Sequence, residues 1–261
     1  MHANDIVEEE ILTVSPEDNP VDVGNRMLEK RISNAAVMED GKLIGLVSKV
    51  TFVLSLEQIG QKPLEEFKVR DLMEKKYRWI EADATLEEVV GRMMEMPSRM
   101  DRILVMDEGR LRGTIPKANI VRLFARDCRK RFKVKDLMEY KPSVVYDYVT
   151  IPKLIKELTM SSDKKLIVCS GEMVAGIITV LDLAEKIFKK MRAGEDYKEL
   201  TAADMMTKDP ITISSREDSA KAADIMLKES IGGLPAVDKK LEGIITKSDI
   251  VKGYQIVLQK I

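Results

Sequence analysis

The stretch Gly243-Ile-Ile-Thr246-Lys-Ser-Asp249 lies near the C-terminal end of a chain of 261 residues. The same pattern returns as Gly176-Ile-Ile-Thr179-Val-Leu-Asp182, and weaker forms begin at Gly45 and Gly113. From the first glycine to the last, the spacings are 68, 63 and 67 residues. A pattern that returns at a nearly constant spacing indicates an internal repeat.

A second marker keeps the same spacing. It is the tripeptide Asp-Leu-Met or Asp-Met-Met, which we call the leader, and its copies begin at Asp71, Asp136 and Asp204. Their separations are 65 and 68 residues. Two markers in phase predict four copies of one unit. The predicted repeats cover about residues 7–58, 69–127, 134–191 and 202–258.

Each repeat carries signals for the order strand, helix, strand, strand, helix. In the first repeat, residues 11–14 are predicted to form a strand, and Asn19 is predicted to cap a helix that begins at Pro20. The dipeptide Asp40-Gly41 is a hairpin turn signal between two apolar runs. These runs are predicted strands at residues 35–38 and 43–47. A final helix is predicted from Lys49.

The later repeats repeat this order. Their first helices are predicted to begin after Thr85, which forms a capping box with Glu88, after Thr150 and after Asp218. The predicted first strands are residues 77–80, 143–146 and 211–213. Short apolar strands next to amphipathic helices are typical of a small sheet covered by helices on one face. The fold class is therefore α/β (α+β), with four β-α-β-β-α units.

The length of one repeat bears on the domain organisation. A unit of about 65 residues is too small to hide its own helix faces well, whereas two units that share a core reach an ordinary domain size. We therefore predict two modules, residues 1–128 and residues 129–261.

Composition narrows the functional classes. The net charge is −1, so no overall field attracts nucleic acid or a membrane surface. His2 is the sole histidine, and Cys128 and Cys169 are the two cysteines. Zinc ribbons, histidine general bases and Cys/His nucleophile pairs are thereby excluded. The N-terminus lacks the features of a signal peptide, and no apolar run reaches the ~20 residues of a spanning helix. We expect a soluble cytoplasmic protein that is not an enzyme.

The residues that follow the glycine in this motif are suited to bind a phosphate and a ribose. Thr179 and Thr246 each precede a helix, where a hydroxyl and free backbone N–H groups can bind a phosphate oxygen. Asp182 and Asp249 follow one turn later, and a carboxylate there can accept the hydroxyl protons of a ribose. The same Thr-x-x-Asp pattern is also a near capping box, which would only stabilise the helix start. Both interpretations remain open from the residues alone.

The chain resembles the CBS (cystathionine β-synthase) domain family over about residues 7–258. The resemblance rests on the β-α-β-β-α order, the leaders, the strand entry Leu234-Pro-Ala-Val-Asp238 and the Gly-Ile-Ile-Thr-x-x-Asp endings. It implies that the four repeats pair into two Bateman modules. It also implies regulatory binding of AMP, ADP, ATP or S-adenosylmethionine in the clefts of these pairs, with no catalytic cofactor and no metal.

The resemblance also implies site residues. In the fourth repeat, Thr246 and Asp249 would hold the phosphate and the ribose, and Lys247 could reach a phosphate. The residues implied to lie near the base there are Pro210, Ile211, Thr212, Gly233, Leu234, Pro235 and Ala236. In the third repeat, the corresponding pair is Thr179 and Asp182. The residues implied to lie near its base are Pro142, Ser143, Val144 and Leu166.

The N-terminal pair of repeats departs from the family pattern. Ser48 keeps a hydroxyl, but Thr51 stands where the aspartate is expected. In the second repeat, Pro116 lacks both hydroxyl and N–H, and Asn119 is a weaker ribose partner. We therefore keep Ser48, Thr51 and Asn119 only as weaker candidates and predict that this pair is mainly structural.

Three functions are compatible with these patterns. The first is a regulatory sensor that binds an adenosine compound and relays a conformational change to a separate effector protein. The second is a ligand-free scaffold or oligomerisation module. The third is a nucleic-acid-associated regulator that uses the basic stretch at residues 122–135, although no known nucleic-acid-binding motif accompanies it. The family implies a homo-oligomer such as a dimer, and neither membrane nor nucleic acid is expected as the main partner.

Overall fold

The structure is a computed structural model. It describes residues 1–30, 32, 34–48, 50–52, 55, 66–96, 101–161, 164–193 and 195–259. The predicted mixture of helices and sheets, built from β-α-β-β-α units, is confirmed.

The repeats contain the following elements, in chain order. The first comprises β1 (Leu12–Val14), α1 (Pro20–Glu29), β2 (Asn34–Glu39) and β3 (Lys42–Ser48), followed by helical residues 50–52 and 55. The predicted start of this last helix, Lys49, lies outside the described residues. The second comprises α2 (Val69–Leu72), β4 (Trp79–Glu81), α3 (Leu86–Met94), β5 (Arg102–Asp107), β6 (Arg110–Pro116) and α4 (Lys117–Asp127).

The C-terminal repeats follow the same order. The third comprises α5 (Val134–Leu137), β7 (Val144–Tyr146), α6 (Ile151–Met160), β8 (Lys165–Ser170), β9 (Met173–Thr179) and α7 (Val180–Arg192). The fourth comprises α8 (Ala202–Met205), β10 (Thr207–Lys208), α9 (Ser219–Lys228), β11 (Gly233–Val237), β12 (Leu241–Thr246) and α10 (Lys247–Leu258).

The first three repeats each contain a sheet in which the first strand is parallel to the second and the second is antiparallel to the third. The fourth repeat differs. Its predicted first strand at residues 211–213 is wrong, because only a single parallel bridge between Ile213 and Ala236 forms there. Asp209 adopts a left-handed φ of 48° and Pro210 has no N–H, so an extended, hydrogen-bonded run cannot begin here. The residues that pair are those of β10, which precedes this segment and lies antiparallel to β9 of the third repeat.

The hairpin turns follow their sequence signals. Asp40 and Gly41 have φ values of 49° and 75°, and Glu108 and Gly109 have values of 48° and 77°. A two-residue turn with positive φ at both positions matches the twist of the flanking strands. These turns hold β2 against β3 and β5 against β6.

Three of the four predicted helix caps are confirmed. The side chains of Asn19, Thr85 and Asp218 accept hydrogen bonds from the backbone at the start of their helices. Thr150 occupies the N-cap position of α6, but its side chain makes no capping bond. The N–H of Ile151 donates to the carbonyl of Leu200 instead. Pro152, the second residue of α6, has no N–H group. Fewer N–H groups at this helix start therefore need a capping partner.

The buried apolar side chains show which repeats pack together. One large cluster joins the first repeat to the third, where α1 packs against α7. The other joins the second repeat to the fourth, where α3 and α4 pack against α10 and α4 also packs against α9. The main helix packing therefore joins alternate repeats, and not the consecutive repeats for which a shared core is predicted. A smaller cluster of Ile167, Cys169 and Ile244 joins the sheets of the third and fourth repeats. The division at residue 128 stays a prediction.

The leaders connect consecutive repeats. Met73 of the second repeat lies against Gly45 of the first, and Met206 of the fourth lies against Gly176 of the third. Met138 of the third repeat lies against Gly243 of the fourth. At Gly113, the N-terminal segment at residues 7–8 takes this place. One leader thus connects repeats one and two, and two leaders connect repeats three and four. Among the described residues, no helix combines the length and the apolar character needed to cross a membrane.

Candidate functional site

A cavity of about 340 Å³ lies where the third and fourth repeats meet. We call it the large cavity. Most of its walls come from these two repeats, but Asn34 and Val50 of the first repeat and Asp101 and Lys117 of the second also line it. The cavity therefore receives side chains from all four repeats.

The large cavity brings together part of the predicted site. Its walls include seven of the predicted residues, namely Thr179, Asp182, Pro210, Ile211, Gly233, Pro235 and Lys247. These come from both of the sites that the family resemblance implies. The cavity thus combines the Thr-Asp pair of the third repeat with the predicted base-binding segment of the fourth, and not with that of its own repeat.

The other predicted residues lie elsewhere. Leu166, Leu234 and Ala236 are buried in the apolar core. Thr246 is also buried, and its hydroxyl donates to Asp249. Val144 and Thr212 are exposed, and Pro142, Ser143 and Asp249 are half-buried outside the cavity wall. Their assignment as ligand contacts stays a prediction.

Both Thr-Asp pairs form complete capping boxes. The hydroxyl of Thr179 donates to Asp182 Oδ2 at 2.6 Å, and the backbone N–H of Asp182 donates to the Thr179 hydroxyl at 3.1 Å. The backbone N–H of Thr179 also donates to Oδ2, at 3.3 Å. Thr246 and Asp249 repeat this arrangement at 2.8, 3.4 and 2.8 Å. The two hydrogen bonds to the Asp182 carboxylate, from the hydroxyl and the backbone N–H of Thr179, both use Oδ2. The other oxygen of Asp182 can therefore accept a hydrogen bond from a ligand in the cavity.

The helix starts make the large cavity suitable for an anion. Lys117, Val180 and Lys247 are the first residues of α4, α7 and α10, and all three line the cavity. The backbone N–H groups of these three residues donate to the carbonyls of Asp101, Lys164 and Gly232. The first turn of a helix also carries the positive end of the helix dipole, and three such ends at one cavity favour an anion there.

Ionic side chains of both signs surround these helix starts. The lysines of the wall are Lys117, Lys164, Lys165 and Lys247, and its aspartates are Asp101, Asp182 and Asp209. Sequence reasoning missed Lys117 and Asp101 because they belong to the second repeat, which lacks the intact motif. The motif spacing relates residues within one repeat and contains no signal for a side chain from another.

Three wall residues other than glycine have a left-handed backbone. The φ values of Lys164, Asp209 and Ser230 are 53°, 48° and 55°. This region of φ is unfavourable for residues with a β-carbon, and such conformations concentrate at functional sites.

A smaller cavity of about 140 Å³ lies between the first and second repeats. We call it the N-terminal cleft. Ser48 and Thr51 line it, and their hydroxyls share a hydrogen bond of 2.8 Å. The hydroxyl of Thr51 also donates to Glu74, at 3.3 Å. Across the cleft, Arg102 forms an ion pair with Glu8 at 2.6 Å. The polar groups at the predicted ligand position thus bond to one another.

Asn119, the remaining weaker candidate, supports the backbone. Its side chain donates to the carbonyl of Ile6 at 2.9 Å and accepts from Arg122 at 2.9 Å. These contacts hold the N-terminal segment against the second repeat.

The basic stretch at residues 122–135 is partly neutralised. Arg126 pairs with Asp127 at 2.6 Å, and Arg129 pairs with Asp224 at 3.1 Å. The backbone N–H of Lys130 donates to Asp218. Several of its residues are therefore committed to contacts within the protein.

Comparison with known proteins identifies the family. The model of the CBS domain matches residues 3–56, 69–126 and 202–255, which together exceed half of the chain. The chain belongs to the CBS domain family. The third repeat is outside these matches, although its strands and helices follow the same order.

Two similar proteins come from Methanocaldococcus jannaschii. The uncharacterized protein MJ1225 is 25% identical over 71% of this chain and 69% of its own length. The uncharacterized protein MJ1404 is 26% identical over 95% of this chain, which spans only 60% of the length of that protein.

Two solved structures share the fold of this CBS protein over 97% of the chain. The crystal structure of MJ1225 is described as that of a proposed archaeal homologue of γ-AMPK. It matches 97% of this chain and 100% of its own, with a TM-score of 0.88 at 20% identity. An uncharacterized conserved protein from Pyrococcus horikoshii matches 97% of this chain and 99% of its own, with a TM-score of 0.66 at 22% identity.

Proposed function

We propose that this CBS protein is a non-enzymatic regulator that binds an adenosine nucleotide in the large cavity. One observation carries the proposal. Thr179 and Asp182, at the start of α7, share one cavity with Pro210, Ile211 and Gly233 of the fourth repeat. Groups suited to phosphate, ribose and base therefore surround a single volume.

Each part of a nucleotide has a matching group. Asp182 can accept the ribose hydroxyl protons through the oxygen that Thr179 does not use. The positive dipole ends of α7 and α10, at Val180 and Lys247, favour a phosphate nearby. The base would lie against Ile211, whose side chain is 43% exposed, and against Pro235. Burying such apolar surface under a flat ring favours binding.

A relay to another protein has a physical route from this site. Lys186, one turn beyond Asp182 on α7, donates to the carbonyls of Met205 and Met206 at 2.7 and 3.2 Å. The chain then continues through β10 to Asp209 in the cavity wall. A ligand that contacts both Asp182 and Asp209 would favour one arrangement of α7 and the fourth-repeat leader. Only such a preference for one conformation can transmit a signal. The effector would be a separate protein, and a homo-oligomer stays part of the proposal.

The relatives guide the choice of ligands for a test. MJ1225, whose structure is described as that of a proposed homologue of γ-AMPK, has the same fold over 97% of this chain. Adenine nucleotides are therefore the first compounds to examine. S-Adenosylmethionine, which the family resemblance also implies, is the necessary comparison.

Isothermal titration of nucleotide-free protein with AMP, ADP, ATP and S-adenosylmethionine tests the proposal. The variant Asp182→Ala should lose most of the affinity and remain folded. Asp249→Ala is the matched control, since it removes an equivalent capping carboxylate outside the large cavity. Flat titrations on folded wild-type protein would contradict a nucleotide-binding function.

A ligand-free scaffold is the second candidate. It is favoured by the completed capping boxes, in which both Thr-Asp pairs already satisfy each other. In that case each aspartate stabilises a helix start, by about 0.5–2 kcal/mol, and has no effect on any ligand.

A further inference from the structure

Four exposed cations lie in the segment that joins the second repeat to the third. They are Lys130, Arg131, Lys133 and Lys135. Two other cations of the same basic stretch, Arg126 and Arg129, each pair with an aspartate. The side chains of the four form no ion pair with a carboxylate in the part of the chain that the structure describes. They are therefore available to carboxylates of another molecule.

Hydrogen bonds fix the backbone that carries these cations. The N–H of Lys130 donates to Asp218 Oδ2 at 2.8 Å, and the N–H of Lys135 donates to the carbonyl of Ser215 at 2.9 Å. Both ends of the segment are thus held by the fourth repeat. Because a partner would not have to order this backbone on binding, the entropic cost of association is reduced.

An exposed tyrosine ring adjoins the cations. The side chain is that of Tyr140, which is 63% exposed, and its hydroxyl donates to the carbonyl of Lys135 at 2.8 Å. This hydrogen bond holds the ring beside the basic segment. Tyrosine offers a large apolar area with few rotatable bonds and is common at the centre of protein interfaces. The basic surface, as we call it, consists of Lys130, Arg131, Lys133, Lys135 and Tyr140.

The carboxylates near the basic surface are engaged by other groups. Asp136 and Asp218 accept hydrogen bonds from backbone N–H groups, and Glu217 pairs with Lys221. They still place negative charge among the cations. A nucleic acid carries a phosphate at every nucleotide and would bring some phosphates against these carboxylates. An acidic protein segment can place its few carboxylates at the cations alone, so the mixed charge favours a protein partner.

We propose that the basic surface binds an acidic segment of the effector protein. The proposed function leaves the chemistry of the effector open, and this inference, which names it, rests on that function. Carboxylates of the segment would pair with the four cations in charge-assisted hydrogen bonds. The ring of Tyr140 would cover the methylene groups of one of the acidic side chains.

The basic surface is connected to the large cavity. Ser215, whose carbonyl holds Lys135, also donates its hydroxyl to Asp238 Oδ2 at 2.9 Å. Asp238 directly follows β11, and Gly233 and Pro235 of this strand line the cavity. A shift of β11 on ligand binding would therefore reach the basic surface through this hydrogen bond. Such a connection suits a surface that passes a signal from the cavity to an effector.

The test measures fluorescence anisotropy of two labelled probes with the full chain at physiological ionic strength. One probe is an oligoglutamate peptide, and the other is a single-stranded oligothymidylate of equal charge. The main variant is the double substitution Lys133→Gln/Lys135→Gln, and Lys133→Arg/Lys135→Arg keeps the charge. The matched control is Lys153→Gln/Lys156→Gln, which removes two exposed lysines of α6 and gives the same net charge as the main variant.

Wild-type protein should bind the peptide more tightly than the oligothymidylate. Lys133→Gln/Lys135→Gln should weaken peptide binding about 3- to 10-fold, as expected for two exposed ion pairs. The arginine variant should keep most of the affinity, and the α6 control should behave like wild type. Circular dichroism should show the same folded state in all of them, because the substituted side chains are exposed.

Three results would overturn the inference, whatever the nucleotide titration shows. The first is no peptide binding by wild type, and the second is equal peptide affinity in Lys133→Gln/Lys135→Gln and in the α6 control. The third is tighter binding of the oligothymidylate than of the peptide, which would assign the surface to nucleic acid. If the peptide behaves as expected but wild type binds no nucleotide, the proposed function is wrong and the basic surface remains a site for acidic segments.

Discussion

Gly243 and Glu139 approach so closely that a β-carbon on Gly243 would lie 2.4 Å from the carbonyl oxygen of Glu139. Glu139 directly follows the leader of the third repeat, and its backbone exchanges hydrogen bonds with Ile244 at 2.9 and 3.0 Å. The glycine motif of one repeat is therefore the binding surface for the leader of its neighbour. This contact explains why the two sequence markers recur in phase.

Replacing this glycine should destabilise the fold. Gly243→Ala places a methyl group against a backbone oxygen, which cannot rotate away as a side chain can. We expect a loss of about 1–3 kcal/mol, the usual range for overpacking a core. The free energy of unfolding in urea, measured with and without the substitution, tests this.

A second glycine provides the control for that experiment. Gly91 lies within α3, and a β-carbon added there would meet no described atom within 4 Å beyond its own helix and chain neighbours. Gly91→Ala should stabilise the protein, by about 0.5–1 kcal/mol, because alanine favours a helix interior. Equal effects of the two substitutions would show that the leader does not constrain Gly243.

Local features of this fold could be predicted from the sequence because their causes are local. Asn19, Thr85 and Asp218 cap helices through atoms two or three residues away, and Asp40-Gly41 sets a turn by its own backbone preference. The first strand of the fourth repeat could not be predicted in this way. The chain pairs with β9 of the third repeat through β10 before it reaches residues 211–213, and those residues make only one bridge to β11, which their own sequence does not reveal.

The sequence motif could relate site residues only to other residues of the same repeat. The motif identified Thr179 and Asp182, which line the large cavity. It did not identify Lys117, because the packing of α4 against α10 brings this residue in from a distant part of the chain. A periodic apolar face predicts that a helix is buried, but not which of three other repeats covers it.

The two capping aspartates should differ in their effect on ligand but not on stability. Asp182→Ala and Asp249→Ala each remove a carboxylate from a complete capping box, so each should lose about 0.5–2 kcal/mol of folding free energy. Only Asp182 lines the large cavity. We expect titration to show lost nucleotide affinity in Asp182→Ala alone. Lost affinity in Asp249→Ala would instead support a second site in the fourth repeat.

Both cysteines should be inert in the native protein. Burial raises the pKa of the Cys128 thiol to about 11, and burial also raises the pKa of Cys169. The thiolate is the reactive form, so at pH 8 neither group should react with a disulfide reagent. The thiol count should be near zero in buffer and two in guanidinium chloride. Rapid reaction of one thiol in folded protein would contradict the burial of that residue.

The contact between Asp127 and Tyr254 should make stability depend on pH. The Tyr254 hydroxyl of α10 donates to Asp127 Oδ2 at 2.8 Å, joining the fourth repeat to the end of α4. Hydrogen bonds from Arg126 and Tyr254 hold the pKa of Asp127 below its ordinary value of 3.8, against the opposing effect of burial. Burial raises the pKa of Tyr254, which therefore keeps its proton.

A depressed carboxyl pKa stabilises the folded state above the unfolded pKa, and this contribution is lost as the pH falls through the folded pKa. Asp127→Asn should therefore be less stable than wild type at pH 7, and the difference should shrink below about pH 3.8. Tyr254→Phe should lose about 1 kcal/mol at pH 7. Urea unfolding at pH 7 and pH 3 measures both, with the exposed Asp83→Asn as control. A difference between Asp127→Asn and wild type that is the same at both pH values would show that the charge of Asp127 does not contribute to the contact between α4 and α10.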